Sequence, residues 1–102
     1  MTNLTTNNFD EAISNGKVLV EFWAAWCGYC RIMAPIVAEL ANKYDGTMKV
    51  AKVNVDEEQT LVTRYDVTTF PTIILFKNGV EAERKIGARP IEELEHMIAQ
   101  SS

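Results

Sequence analysis

The sequence predicts an α/β protein with a mixed sheet and helices on both of its faces, and three observations carry that prediction. Segments of helical and of strand periodicity alternate along the chain. Residues 18–22 are near-continuously apolar, as strands covered on both faces of a parallel sheet are, and residues 48–55 read as a second buried strand. Between two further apolar runs stands Lys77-Asn78-Gly79, whose Asn-Gly pair favours a tight hairpin and so demands an antiparallel neighbour.

Taken in order, the elements read αβαβαββα, with a short strand added before the first helix. Asn7-Asn8 reads as the cap of a short helix over residues 9–13, ended by Asn15-Gly16. After strand 18–22, a second helix starts at Cys27 and runs to Tyr44, where Asp45-Gly46 stops it. Ile32, Ile36, Val37, Leu40 and Tyr44 form its apolar arc, and Pro35 inside it predicts a kink. Strand 48–55 leads into a short helix over residues 57–65, and strands 71–76 and 80–86 flank the hairpin. The last helix opens at Pro90 and buries Ile91, Leu94, Met97 and Ile98. Its first turn holds Glu92 and Glu93, where the positive end of the helix dipole favours acids.

Composition narrows the function. A chain of 102 residues, 47% hydrophobic and 24% charged, is long enough for one packed core, and no repeat or linker divides it, so a single domain over 1–102 is expected. Fourteen acidic residues against 10 basic ones give a net charge of −4 with no basic cluster, which argues against a nucleic-acid partner. The apolar runs are too short to span a bilayer, and the first six residues lack the basic-then-apolar layout of a secretory signal. A cytoplasmic monomer is therefore expected. In such a reducing compartment the two cysteines, three positions apart, are poor candidates for a structural staple.

Those cysteines stand at a strand-to-helix junction, in Trp26-Cys27-Gly28-Tyr29-Cys30. A cysteine at a helix start sees unpaired backbone N–H groups and the positive dipole end, an environment that favours a thiolate. The spacing puts the second sulfur one turn on, close enough to bridge. Two blander explanations are weaker. A zinc site needs about four ligands, whereas the chain offers two cysteines and His96, which falls on the polar side of the last helix. Inert core cysteines fit poorly beside Gly28 and Tyr29 at an exposed helix start. Glu21 is also out of place: it interrupts an apolar strand, where an unpaired carboxylate would protonate before it gave up its hydration. An ion pair with Lys52, itself lodged in an apolar strand, is the structural explanation. Pro71 reads on its own as a strand opener with a trans bond.

The segment Val20-Glu21-Phe22-Trp23-Ala24-Ala25-Trp26-Cys27-Gly28-Tyr29-Cys30 resembles the active-site segment of thioredoxins. Ala51-Lys52-Val53-Asn54-Val55-Asp56, Phe70-Pro71-Thr72 and Leu75-Phe76-Lys77-Asn78-Gly79 recur in that family's order, so the resemblance covers essentially the whole chain. It implies the thioredoxin fold, a central five-stranded mixed β-sheet flanked by four α-helices. It implies reduction of protein disulfides through Cys27 and Cys30, no organic cofactor, disulfide-containing protein substrates, and recharging by a thioredoxin reductase. Glu21 would accept the proton of Cys30, and Lys52 would support it. Pro71 would be cis and face the cysteines, while Trp26, Phe70, Gly87 and Ala88 would form an apolar, backbone-rich platform for substrate. Trp23 would pack beneath the site or simply fill the core.

Two departures bear on the chemistry. Gly28-Tyr29 replaces the family's usual Gly-Pro, and Glu21 replaces its usual aspartate. With Cys27 as the cap, the Tyr29 N–H is expected to point at the cap sulfur, a hydrogen bond that proline would withdraw. A higher reduction potential is expected to follow. Tyr29 also resembles the residue glutaredoxins carry before their second cysteine, but their Gly-Gly pair after the hairpin is replaced here by Gly87-Ala88. A more oxidising or glutaredoxin-like exchanger, and a non-enzymatic binding subunit using the same platform, stand as alternatives.

Overall fold

Three stretches rich in β-branched residues form the parallel part of the sheet: β1 (Thr2–Asn3), β2 (Lys17–Trp23) and β3 (Lys49–Asn54). Between them run α1 (Phe9–Ala12) and α2 (Gly28–Lys43), and after them come α3 (Gln59–Arg64), β4 (Thr72–Lys77), β5 (Val80–Ile86) and α4 (Ile91–Gln100). This computed structural model describes residues 1–101. The five strands lie in the order β1-β3-β2-β4-β5, with β4 antiparallel to β2 and β5 antiparallel to β4. Asn78 (φ 52°) and Gly79 (φ 85°) both take the left-handed conformation that a two-residue hairpin loop requires, so the Asn-Gly expectation holds.

The side-chain alternation of β2 sends Val18, Val20 and Phe22 into a core with Phe9, Leu61 and Phe76, under α1 and α3. Leu19 joins a second core with Met33, Val37, Leu40, Leu94 and Met97, under α2 and α4. Glu21 shares that second face, opposite Lys52 on one neighbouring strand and Ile73 on the other. Burying an aliphatic or aromatic side chain of this size contributes about 1.5–3 kcal/mol each. Both faces of the sheet are thus held tightly, and the ends of β2 and β3 are rigid mounts.

Some expectations shift. Ile32 is 58% exposed, and Met33 takes its place in the core, so the buried face of α2 runs through Cys30, Met33, Val37 and Leu40. The helix continues unbroken through Pro35. Asn8 precedes α1 without a side-chain cap; its Oδ1 accepts instead from the Thr5 N–H. The third helix is shorter than residues 57–65, because Glu58 turns away to accept from the backbone N–H and hydroxyl of Thr6. Ile91 is only half-buried.

Candidate redox site

Strand β2 ends at Trp23, and four residues later the chain turns into α2 with Cys27 as its N-cap, in extended backbone (φ −91°, ψ 117°). The cap position normally holds an oxygen that accepts from the first-turn N–H groups. Here sulfur does so: Cys27 Sγ accepts from the Cys30 N–H at 3.2 Å. That corrects one expectation, since the donor among the described residues is Cys30 and not Tyr29. On its other side the Cys27 thiol donates to the Phe70 carbonyl at 3.5 Å. Both cysteines are unpaired thiols and nearly buried.

The surface around Cys27 is made of aromatic edges and backbone. The Phe70–Pro71 bond is cis, and the Pro71 carbonyl accepts from the Gly87 N–H at 2.8 Å, which docks the Gly87-Ala88 turn against this loop. Trp26 is 63% exposed, yet it is fixed twice. Its ring meets Phe70 edge-on with centroids 5.8 Å apart, and its indole N–H donates to Asp56 at 3.0 Å. Sequence reasoning missed Asp56 as the anchor of Trp26. Its place just past the end of β3, where open α/β sheets gather functional groups, was the available signal. Gly28 and Tyr29 are exposed beside the sulfurs.

Below the cysteines lies a small cavity of about 120 Å³, lined by Glu21, Trp23, Ala24, Ala25, Cys30, Arg31, Ala34 and Lys52. Glu21 is buried, and its Oε2 has no hydrogen-bond partner among the described residues. Burial pushes its pKa from the usual 4.5 up to about 7, against the pull of Lys52. Burial also pushes the Cys30 thiol up to about 12, helped by the hydrogen bond to Cys27 and by the charges of Cys27 and Glu21. The expected Glu21–Lys52 ion pair is absent among the described residues. The Lys52 amine lies instead over the Trp23 ring, 4.5 Å from its centroid. Arg31 and Ala34 also escaped the sequence reading, since nothing in their spacing marks a cavity wall. Among the described residues, no three of His, Cys, Asp and Glu gather as a metal cage would require.

Two adjacent free thiols, one at a helix cap and one beneath it beside a carboxyl, can trade electrons with a disulfide by exchange. The chain is a dithiol–disulfide oxidoreductase, and comparison with other proteins says of which kind. Residues 1–100 match the family model described as Thioredoxin, and the chain belongs to the thioredoxin family. It is 46% identical over 97 residues to a thioredoxin of Alicyclobacillus acidocaldarius, covering 94% of this chain and 92% of that one. A thioredoxin of Staphylococcus haemolyticus is 41% identical over 95 residues, with 93% and 91% covered. A solved structure of Plasmodium falciparum thioredoxin superposes with a TM-score of 0.91 at 33% identity, over the whole of both chains.

Proposed function

We propose that this oxidoreductase reduces protein disulfides in two exchanges, with Cys27 as the attacking sulfur, Cys30 as the resolving sulfur and Glu21 as the proton acceptor. The observation that carries the assignment is the contrast between the two sulfurs: Cys27 caps the helix beside the Phe70 carbonyl, while Cys30 is held protonated over the Glu21 cavity. In the first exchange the Cys27 sulfur bonds to one substrate sulfur, and the other substrate sulfur leaves as a thiolate. In the second the Cys30 sulfur attacks the Cys27 sulfur and displaces the substrate sulfur from it, closing the Cys27–Cys30 disulfide and releasing the remaining substrate thiolate. Two electrons pass from the dithiol to the substrate.

Cys30 must shed its proton for that second step. Once Cys27 is bonded to substrate, its charge and its hydrogen bond no longer hold the Cys30 thiol up, and burial and the Glu21 charge are what still oppose ionisation. A carboxyl with a pKa near 7 is half ionised at neutral pH and so is suited to take the proton. Substrate backbone would pair with Phe70 and lie across Trp26, Gly87 and Ala88, with Pro71 holding the loop against Cys27. The proposal includes recharging by a thioredoxin reductase in the cytoplasm, since the spent disulfide must be reduced there for a second turnover. Among the described residues no helix is long and apolar enough to cross a membrane.

The test is trapping. Cys30→Ser should accumulate a mixed disulfide with substrate protein, and Cys27→Ser should form none, both read by intact mass. Adduct on Cys27→Ser alone would reverse the two roles. Insulin reduction that is driven by a thioredoxin reductase and not by glutathione identifies the electron donor.

A further inference from the structure

Lys52 and Glu21 are register partners on adjacent parallel strands, so both side chains leave the sheet on the same face, one strand spacing apart. A free lysine at that spacing would close onto the carboxylate. It does not: the amine sits 4.5 Å from the centroid of the Trp23 ring, within the range of a cation–π contact. Trp23 is itself fixed from the far side, where its indole N–H donates to Asn3 Oδ1 at 3.3 Å. Glu21 Oε2 meanwhile has no hydrogen-bond partner among the described residues. A packing role alone explains neither the position of the amine nor the orphaned oxygen.

We propose that Trp23 is a positioning residue whose ring holds the Lys52 ammonium off the Glu21 carboxyl, leaving that carboxyl free to take the Cys30 proton. This rests on the reading of Glu21 as proton acceptor. The charged and titratable groups that face Glu21 are few: Lys52 from β3, and Cys30 and Arg31 from α2. Strand β4 presents Ile73, and no residue of α4 lines the cavity. Lys52 is therefore the cation whose position matters most. An opposite charge brought into contact lowers a carboxyl pKa by about 1–3. Release of Lys52 from the ring would move Glu21 toward a weak base at neutral pH.

The experiment is an NMR titration of the ¹³C-labelled Glu21 carboxyl in the reduced full chain, for Trp23→Leu made with Lys52 in place and again in Lys52→Met. With Lys52 present, Trp23→Leu should lower the Glu21 midpoint by about one pH unit or more; in Lys52→Met it should leave the midpoint unmoved. An equal fall in both backgrounds would mean that Trp23 acts by burial, and no fall in either would mean that its ring does not restrain Lys52. Both results overturn the proposal. Should Trp23→Leu not fold, Trp23→Phe keeps an aromatic face of weaker cation affinity, and the same pair of titrations should show a smaller fall confined to the Lys52 background. The titration follows the carboxyl itself, whatever its role. Whether Glu21 is the acceptor is decided separately, by single-turnover resolution in Glu21→Gln: an unchanged rate removes that reading and leaves the titration result intact.

Discussion

The two sides of the cysteine pair are built from opposite materials. Above Cys27 the surface is open: exposed Trp26 and Tyr29, the Phe70 carbonyl and the Gly87-Ala88 turn, held by backbone hydrogen bonds and ring edges. Below Cys30 lies a small titratable cavity of about 120 Å³, lined by the buried Glu21 and by Lys52 and Arg31. The upper side therefore has little that pH can change near neutrality, and the lower side is governed by it. In the proposed mechanism recognition and proton transfer are segregated by the helix start that carries both sulfurs, so each side can be perturbed on its own.

The largest effect should come from below. The Glu21 pKa is raised in the folded chain, so its contribution to stability is fully present below pH 4.5 and is lost as pH rises through about 7. That gap corresponds to about 3 kcal/mol, at 1.36 kcal/mol for each pH unit. Glu21→Gln keeps the shape and cannot ionise. Its stability relative to the native chain should therefore grow by about 3 kcal/mol between pH 4.5 and pH 8. Cys30, raised from 9.0 to about 12, has the same sign but acts only above that window, and it is shared by both chains. Urea titrations at several pH values check this; a difference that stays flat with pH would show that Glu21 ionises freely in the folded state.

A smaller effect, with no pH dependence, is expected above. Gly87 has φ +87°, and a Cβ built there meets nothing within 4 Å. Gly87→Ala should therefore cost only the left-handed backbone strain, about 1–2 kcal/mol. The same loss at pH 5 and pH 8 is the expected outcome. A loss confined to one of them would couple the turn to the cavity and break the separation of the two sides.

Most of the architecture was legible because it rests on local rules. Hydrophobic runs located β2, β3 and β4, the Asn-Gly pair gave the hairpin, and the Trp26–Cys30 segment marked its own helix cap. Where the reading slipped, the cause was tertiary. Periodicity alone put Ile32 in the arc of α2, but the sheet lies against the side that carries Met33. The expected Glu21–Lys52 ion pair failed for a similar reason: strand register brings the partners together, but the neighbouring Trp23 ring takes the amine. The cis bond at Pro71 had no local signal; only the family resemblance implied it. Arg31 entered the site from a position that no motif singles out, and Asp56 stood in a motif that was read only for resemblance and not as the anchor of Trp26.

The smallest expected effect lies on the boundary between the two sides, at Tyr29. If its N–H bonded the Cys27 sulfur, proline there would remove a hydrogen bond to a charged group, worth about 1.5–3 kcal/mol. That is roughly 30–60 mV for a two-electron couple. The sulfur instead accepts from the Cys30 N–H, which a proline at 29 leaves in place. As the second helical residue, Tyr29 has a backbone N–H with no partner inside the helix, and helical φ suits proline. Only stiffening remains. A proline that fits its backbone contributes about 0.4–1 kcal/mol by removing chain freedom. That freedom is greatest in the dithiol, where the two sulfurs are not tied, so the restriction favours closure of the disulfide. Tyr29→Pro should therefore lower the reduction potential by roughly 10–20 mV, from the same 30 mV per 1.4 kcal/mol. Equilibration of both chains against a thiol redox buffer measures it. A fall of 30 mV or more would restore the hydrogen-bond explanation, and an unchanged or higher potential would show that the residue between the cysteines does not set the redox poise of this site by stiffening it.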